Sequence, residues 1–324
     1  MISVRRVSVL IPLTASLFVG ATCSLFSDAG KADTIRGQMQ ASFDFIDASL
    51  AETEETNISF LSNTPTFELM KSDLEAFVQR DDQLVEAQVA VTRTQDLQQD
   101  IIYLNMPDWY TGPYTSAVND QIAKREQAVT QYQTVLLKEE NFALAVVSFY
   151  NGLYRFNDAT DAADTLPPFD PAHPEPLASE VQRIQAEISL ATSDFNSAAA
   201  YVNVELFTRM RDSAVDFQQA LDTLRQMVSL LEDMQQETDP DQLQFQSEQM
   251  DQLSYTLDLL LSQFSAGIPT DYLDQQDHFT TTALEDFIAW RAANLDPVVK
   301  DARALLSEIE QIDAAANTIY NTER

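Results

Sequence analysis

Glycine is nearly missing from this chain. Six glycines in 324 residues fall far below the ~7% of ordinary usage. That leaves no material for the glycine-rich loops that cradle phosphates, and no GxGxxG or P-loop pattern occurs. Cysteine occurs once, at Cys23, so no internal disulfide can form and a cysteine-built zinc cage is excluded. Histidine occurs twice. Neither His173 nor His278 has the Glu or His partner, three or four residues on, that a helical metal site requires. Positive charge is also short, with 19 Lys and Arg against 51 Asp and Glu and a net charge of -32. Phosphate backbones and anionic headgroups are held by cations, so nucleic acid is not an expected partner. Five lysines in all lean towards a saline habitat, but dense carboxylates equally serve plain solubility.

What is present begins at the N-terminus. Arg5 and Arg6 precede an uncharged, mostly apolar run from Val7 to Thr22 that ends on Cys23. A basic flank, an apolar run and then small residues is the layout of an export signal. Three outcomes follow from it. Val19-Gly20-Ala21-Thr22-Cys23 resembles a lipobox, which implies acylation of Cys23. It departs from the pattern at Gly20, where a leucine-like residue is common, and at Thr22, where Gly or Ala is preferred. Cleavage after Ala29 or Ala32 is the second outcome. The third is an uncleaved anchor, since the charge-free run from Val7 to Ser27 approaches the ~20 residues needed to cross a bilayer. All three place the protein outside the cytoplasm. Cleavage before Cys23 removes Arg5 and Arg6 and no acid, which takes the charge from -32 to -34.

Beyond that segment, 45% hydrophobic residues supply a real core. Their spacing is helical throughout. Seams at threes and fours run from 66 to 105, from 114 to about 158, from 241 to 266 and from 298 to 322. A shorter helix is expected over 33–51. The stretch from Ser179 to Asp239 has neither Gly nor Pro and steps by fours through Leu206, Met210 and Ala214, the mark of a stutter or a join. Either an elongated bundle holding one helix of ~90 Å or a break near Thr192 to Ala198 is expected there. Asp239-Pro240 and Asp296-Pro297 read as helix starts, and Thr282 with Glu285 as a capping box. No alternating strand pattern occurs.

The expected fold is therefore all-α, an elongated antiparallel bundle of about six or seven long helices with coiled-coil-like packing. Its expected divisions are a signal peptide or anchor at 1–22, a short tether at 23–32 and a first half at 33–160. A Pro-rich linker or loop at 161–177 and a second half at 178–324 complete it. Polar residues on the seams, Asp81, Arg125 and Glu139, mark either register-setting contacts or exposed turns, with exposure the default. The Asp-rich stretch Asp158 to Asp164 lacks the glycine and terminal Glu of an EF-hand, so it reads as a solvated helix end.

One local feature stands out. Between two helices of about 40 residues, Trp109, Tyr110 and Tyr114 share nine residues with Pro107 and Pro113. Either these rings fold back to plug the end of the core, or they form an interaction tip for a protein, a glycan or the membrane interface. Trp290 is expected in the core. No catalytic set, metal site or cofactor is expected. The functional expectation is a non-enzymatic, lipid-anchored scaffold or spacer in the cell envelope, with a protein partner there. The alternatives are a bundle holding a small apolar ligand and, behind it, a carboxylate-based metal hydrolase.

Overall fold

The computed structural model describes residues 28–168, 170, 173, 175–269 and 276–323, leaving the side chains of 276–280 aside. Among these residues there is no strand. Eight α-helices run in order: α1 (Asp28–Ser62), α2 (Phe67–Ile102), α3 (Thr115–Asp164), α4 (Glu175–Tyr201), α5 (Glu205–Gln236), α6 (Pro240–Gly267), α7 (Gln276–Asn294) and α8 (Asp296–Glu323). A five-residue π-turn, Tyr110–Tyr114, leads into α3 and holds Pro113. Helix starts follow local chemistry. The Thr66 hydroxyl accepts from the Leu69 N–H at α2. Asp239 accepts from the Asp241 N–H at α6, with Pro240 at the first position, where its missing N–H costs nothing.

Three boundaries differ from the sequence expectation. Helix α1 begins at Asp28 and reaches Ser62, so it takes in part of the supposed tether and continues well past Leu50. The break between α4 and α5 lies at Val202 to Val204 rather than near Thr192 to Ala198. Val204 there adopts φ -112° and ψ 127°, the extended backbone that β-branched residues favour. Thr282 lies inside α7, so its capping-box pattern starts no helix. The N-terminal readings, including Cys23, lie outside the described residues.

Helix α3 organises everything else. At 1.5 Å per residue its 50 residues extend ~75 Å, and both ends of the molecule are built on it. Helices α1 and α8 meet its first half at Arg125, α2 runs beside it from Glu126 to Tyr154, and α4 covers its second half, with α5 and α6 beyond. The helices α7 and α8 return from the second half to close the first. Phe287 of α7 meets Phe142, Phe149 and Phe207 at the waist, and Trp290 stacks on Phe142 at 5.3 Å. One contiguous apolar cluster runs from Ala32 to Tyr320. Helix α6 is the outlier, with Leu260 as its sole buried residue. Among the described residues no helix is long and apolar enough to cross a membrane.

Candidate functional site

Four places concentrate polar chemistry, in a sequence from one end of the molecule to the other. The first is the end where α1 begins. Tyr110 and Tyr114 are buried and Trp109 is half-buried. The three rings meet one another, and Trp109 and Tyr114 also meet Tyr320, with centroids 4.9–6.3 Å apart. Arg36 donates to the Tyr114 hydroxyl at 3.0 Å and lies 3.8 Å over the Tyr320 ring. Tyr320 donates to Asp33 at 2.8 Å. Burial, then the neighbouring tyrosines and Asp33, push the Tyr110 hydroxyl well above its ordinary pKa. The three candidate tip residues are thus brought together as a plug over the core, and Trp109 alone keeps an accessible edge.

Below the plug, a ladder of charges descends through the first half. Arg125 is fully buried and bridges Asp47 of α1 and Asp313 of α8, at 2.6 and 2.7 Å, with Phe43 beneath its guanidinium at 4.2 Å. Burial opposes its charge, but the hydrogen bonds to Asp313 and Asp47 outweigh it and raise its pKa. The next rung joins Tyr132 to Glu54 at 2.7 Å, and Glu54 also pairs with Arg303. Then comes Glu139, fully buried and 2.7 Å from Arg80, which also donates to Asn57. Arg291 closes the ladder by donating to the Phe60 and Asn63 carbonyls at 2.8 Å. Burial raises the Glu139 pKa to about 7 against the pull of Arg80. The default of exposed seam residues is therefore corrected for Arg125 and Glu139 and holds for Asp81, which is exposed. The seam positions gave a signal, but their partners sit on other helices, so only the fold reveals the pairs.

At the waist, a cavity of about 410 Å³ opens between the α4–α5 turn and α7, lined by Glu205, Arg209, Asp286 and Trp290 among others. Burial, then the neighbouring Glu205 and Glu285, raise the Asp286 pKa, although the residue itself is exposed. Among the described residues its lining includes one hydroxyl, Thr282, one turn before Asp286, and no Ser, Cys or His.

At the far end, α3 stops at Asp164 while α5 and α6 continue. An apolar groove of about 280 Å³ marks the step. Leu166 and the last turn of α3 form one wall, and Leu221, Leu224, Leu257 and Leu261 form its floor. Past Leu224, α5 runs on for 12 residues to Gln236, ~18 Å. The α5–α6 hairpin from Gln226 to Gly267 carries eight carboxylates and not one Lys or Arg.

Among the described residues no group of three or more His, Cys, Asp or Glu is placed to hold a metal. Asp158, Asp161 and Asp164 lie along the last turns of α3, a helix end rather than a loop. His173 is exposed, with its ring 3.4 Å from Asp170, and the His278 side chain is outside the described residues. In comparisons with known proteins, no family model, curated protein or solved structure matches this chain.

Proposed function

We propose that this protein is a non-enzymatic, membrane-tethered scaffold of the cell envelope, holding a partner-binding end away from the bilayer. The observation that carries the reading is the polarity of the molecule. Cys23 precedes the start of α1 by five residues, and α1 starts at the aromatic plug, where the Asn105 N–H donates to Asp28 at 3.2 Å. The acidic hairpin is at the other end of α3. The axial rise of α3 plus the overhang of α5 separates the two by roughly 90 Å.

Chemistry agrees with the assignment of ends. A half-exposed Trp among tyrosines suits a headgroup interface, whereas an end rich in carboxylates is repelled by anionic lipid. The buried charges are consumed in holding helices together, which leaves them unavailable to a substrate. Intact mass and membrane fractionation of wild type and Cys23→Ala, expressed in a bacterial host, test the tether. A diacyl or triacyl chain beginning at Cys23, lost in the variant, is the expected result. A soluble chain beginning near Gly30 or Asp33 overturns the tether, and turnover of a defined substrate by the purified protein overturns the non-enzymatic reading.

A further inference from the structure

We propose that the groove at the end of α3 is a docking surface for a basic amphipathic helix of a partner protein. The inference rests on the partner-binding part of the reading above and not on the tether. Its geometry comes from a helix that ends too soon. Along its second half α3 supplies a wall for the core, with Phe156 meeting Phe217 of α5 and Phe264 of α6 at 6.5 and 5.9 Å. At Asp164 that wall stops, and the leucines that would meet its next turns form an open floor. Leu261 is 39% exposed there, and Leu224 and Leu257 are half-buried. Leu221 and Leu224 on α5, and Leu257 and Leu261 on α6, sit at helical spacing along the groove, a floor against which a helix packs. Apolar side chains at three- and four-residue spacing are what such a groove takes up.

Charge decides which helix. The hairpin presents carboxylates without a compensating cation over 42 residues. Asp251 and Asp258, both exposed on α6, accompany Leu257 and Leu261 along the helix. The flanking arginines are already engaged: Arg183 with Glu180 at 2.5 Å and Arg225 with Asp222 at 3.6 Å. A second copy of this chain would bring eight carboxylates against eight, and like charges across an interface disfavour association. A lysine- or arginine-flanked apolar stripe is the complement. It gains burial in the groove and electrostatic steering from the rim.

Titration of the purified full chain with a fluorescent 21-residue peptide tests this. The peptide carries Leu at heptad a and d positions and Lys elsewhere. One control has the same composition with its leucines moved off the heptad, and another has Glu in place of Lys. The patterned basic peptide is expected to bind at least tenfold tighter than either control. Hydrogen-exchange protection is expected to concentrate between 217 and 264. Leu261→Ser, and separately Asp251→Lys with Asp258→Lys, each weaken binding tenfold or more while circular dichroism stays unchanged.

Equal binding of the patterned and scrambled basic peptides overturns the proposal, because charge alone would then explain it. So does protection elsewhere on the molecule, or indifference to both sets of substitutions. Sedimentation showing a dimer of this chain that Leu261→Ser dissolves would hand the groove to a second copy. The Cys23→Ala protein gives the same peptide titration as wild type, so failure of the tether and failure of the groove are read separately.

Discussion

Arg125 of α3 grips Asp313 of α8 with both terminal nitrogens, 2.9 Å from Nη1 to Oδ1 and 2.7 Å from Nη2 to Oδ2. The same guanidinium reaches Asp47 of α1 through Nε and Nη2. Three helices far apart in sequence are thus registered by one side chain. Arg125→Met leaves two carboxylates facing each other. Asp47 and Asp313 keep 37% and 27% of their side-chain surface exposed, so water screens them. The cost should therefore fall below the ~3–5 kcal/mol of a fully buried pair, at about 1–3 kcal/mol. Arg125→Lys recovers only part of this, because an ammonium lacks the planar fork that serves two carboxylates. Urea unfolding of the three proteins checks the order, and equal stability of the Lys variant and wild type would refute it.

Glu139 sets a pH dependence. Its pKa is about 7 in the fold against 4.5 in the unfolded chain, so the folded protein holds this proton more tightly. The stabilising contribution is complete below pH 4.5 and is lost as the pH rises through 7. At 1.36 kcal/mol per unit the difference is ~3 kcal/mol. Burial sets the shift, opposed by Arg80 of α2 and Arg291 of α7 and reinforced by Asp73 of α2. Unfolding should therefore need more urea at pH 5 than at pH 8, and the difference should shrink in Glu139→Gln. An unchanged pH slope in that variant would rule Glu139 out as the cause.

At Gly152, α3 comes close against α4. A Cβ there would lie 2.9 Å from two atoms of the Phe195 ring and 3.2 Å from the Ala191 carbonyl oxygen. Alanine would gain up to ~1 kcal/mol in helix propensity but overpack a buried ring, at ~1–3 kcal/mol. Gly152→Ala should therefore lower the melting temperature, and pairing it with Phe195→Leu should recover part of the loss. A higher melting temperature for the single variant would show that α4 moves aside freely.

Tyr110 keeps its hydroxyl buried without a hydrogen-bond partner among the described residues. Deleting that oxygen removes a desolvated polar group at no loss of ring packing. Tyr110→Phe should be neutral or stabilising by up to ~1 kcal/mol, whereas Tyr114→Phe, which gives up the 3.0 Å bond from Arg36, should destabilise. Calorimetry of the two variants checks whether the order is as stated.

The long seams were legible because one side of each helix faces a core, and that imposes a period any reader of the sequence can count. The α6 start was legible from Asp239 and Pro240, whose cap needs no tertiary partner. The α4–α5 break was not, since Val202 to Val204 contains neither Gly nor Pro and turns by extended backbone alone. Nor was the ladder, for which Arg125 and Glu139 looked like surface residues until Asp47, Asp313 and Arg80 arrived from other helices. The plug lay between the two. Its rings were conspicuous in sequence, but Tyr320, which completes the cluster, lies more than 200 residues away.

The continuity of α3 has a mechanical consequence. Where two bundles are joined by a loop, each can rotate without disturbing the other. Here a bend at the waist would have to break backbone hydrogen bonds inside a single 50-residue helix and part the aromatic rings of Phe142, Phe149 and Phe287 packed around it. The molecule therefore behaves as a strut of fixed length, and a force applied to the hairpin is felt at the plug with little lost in flexure.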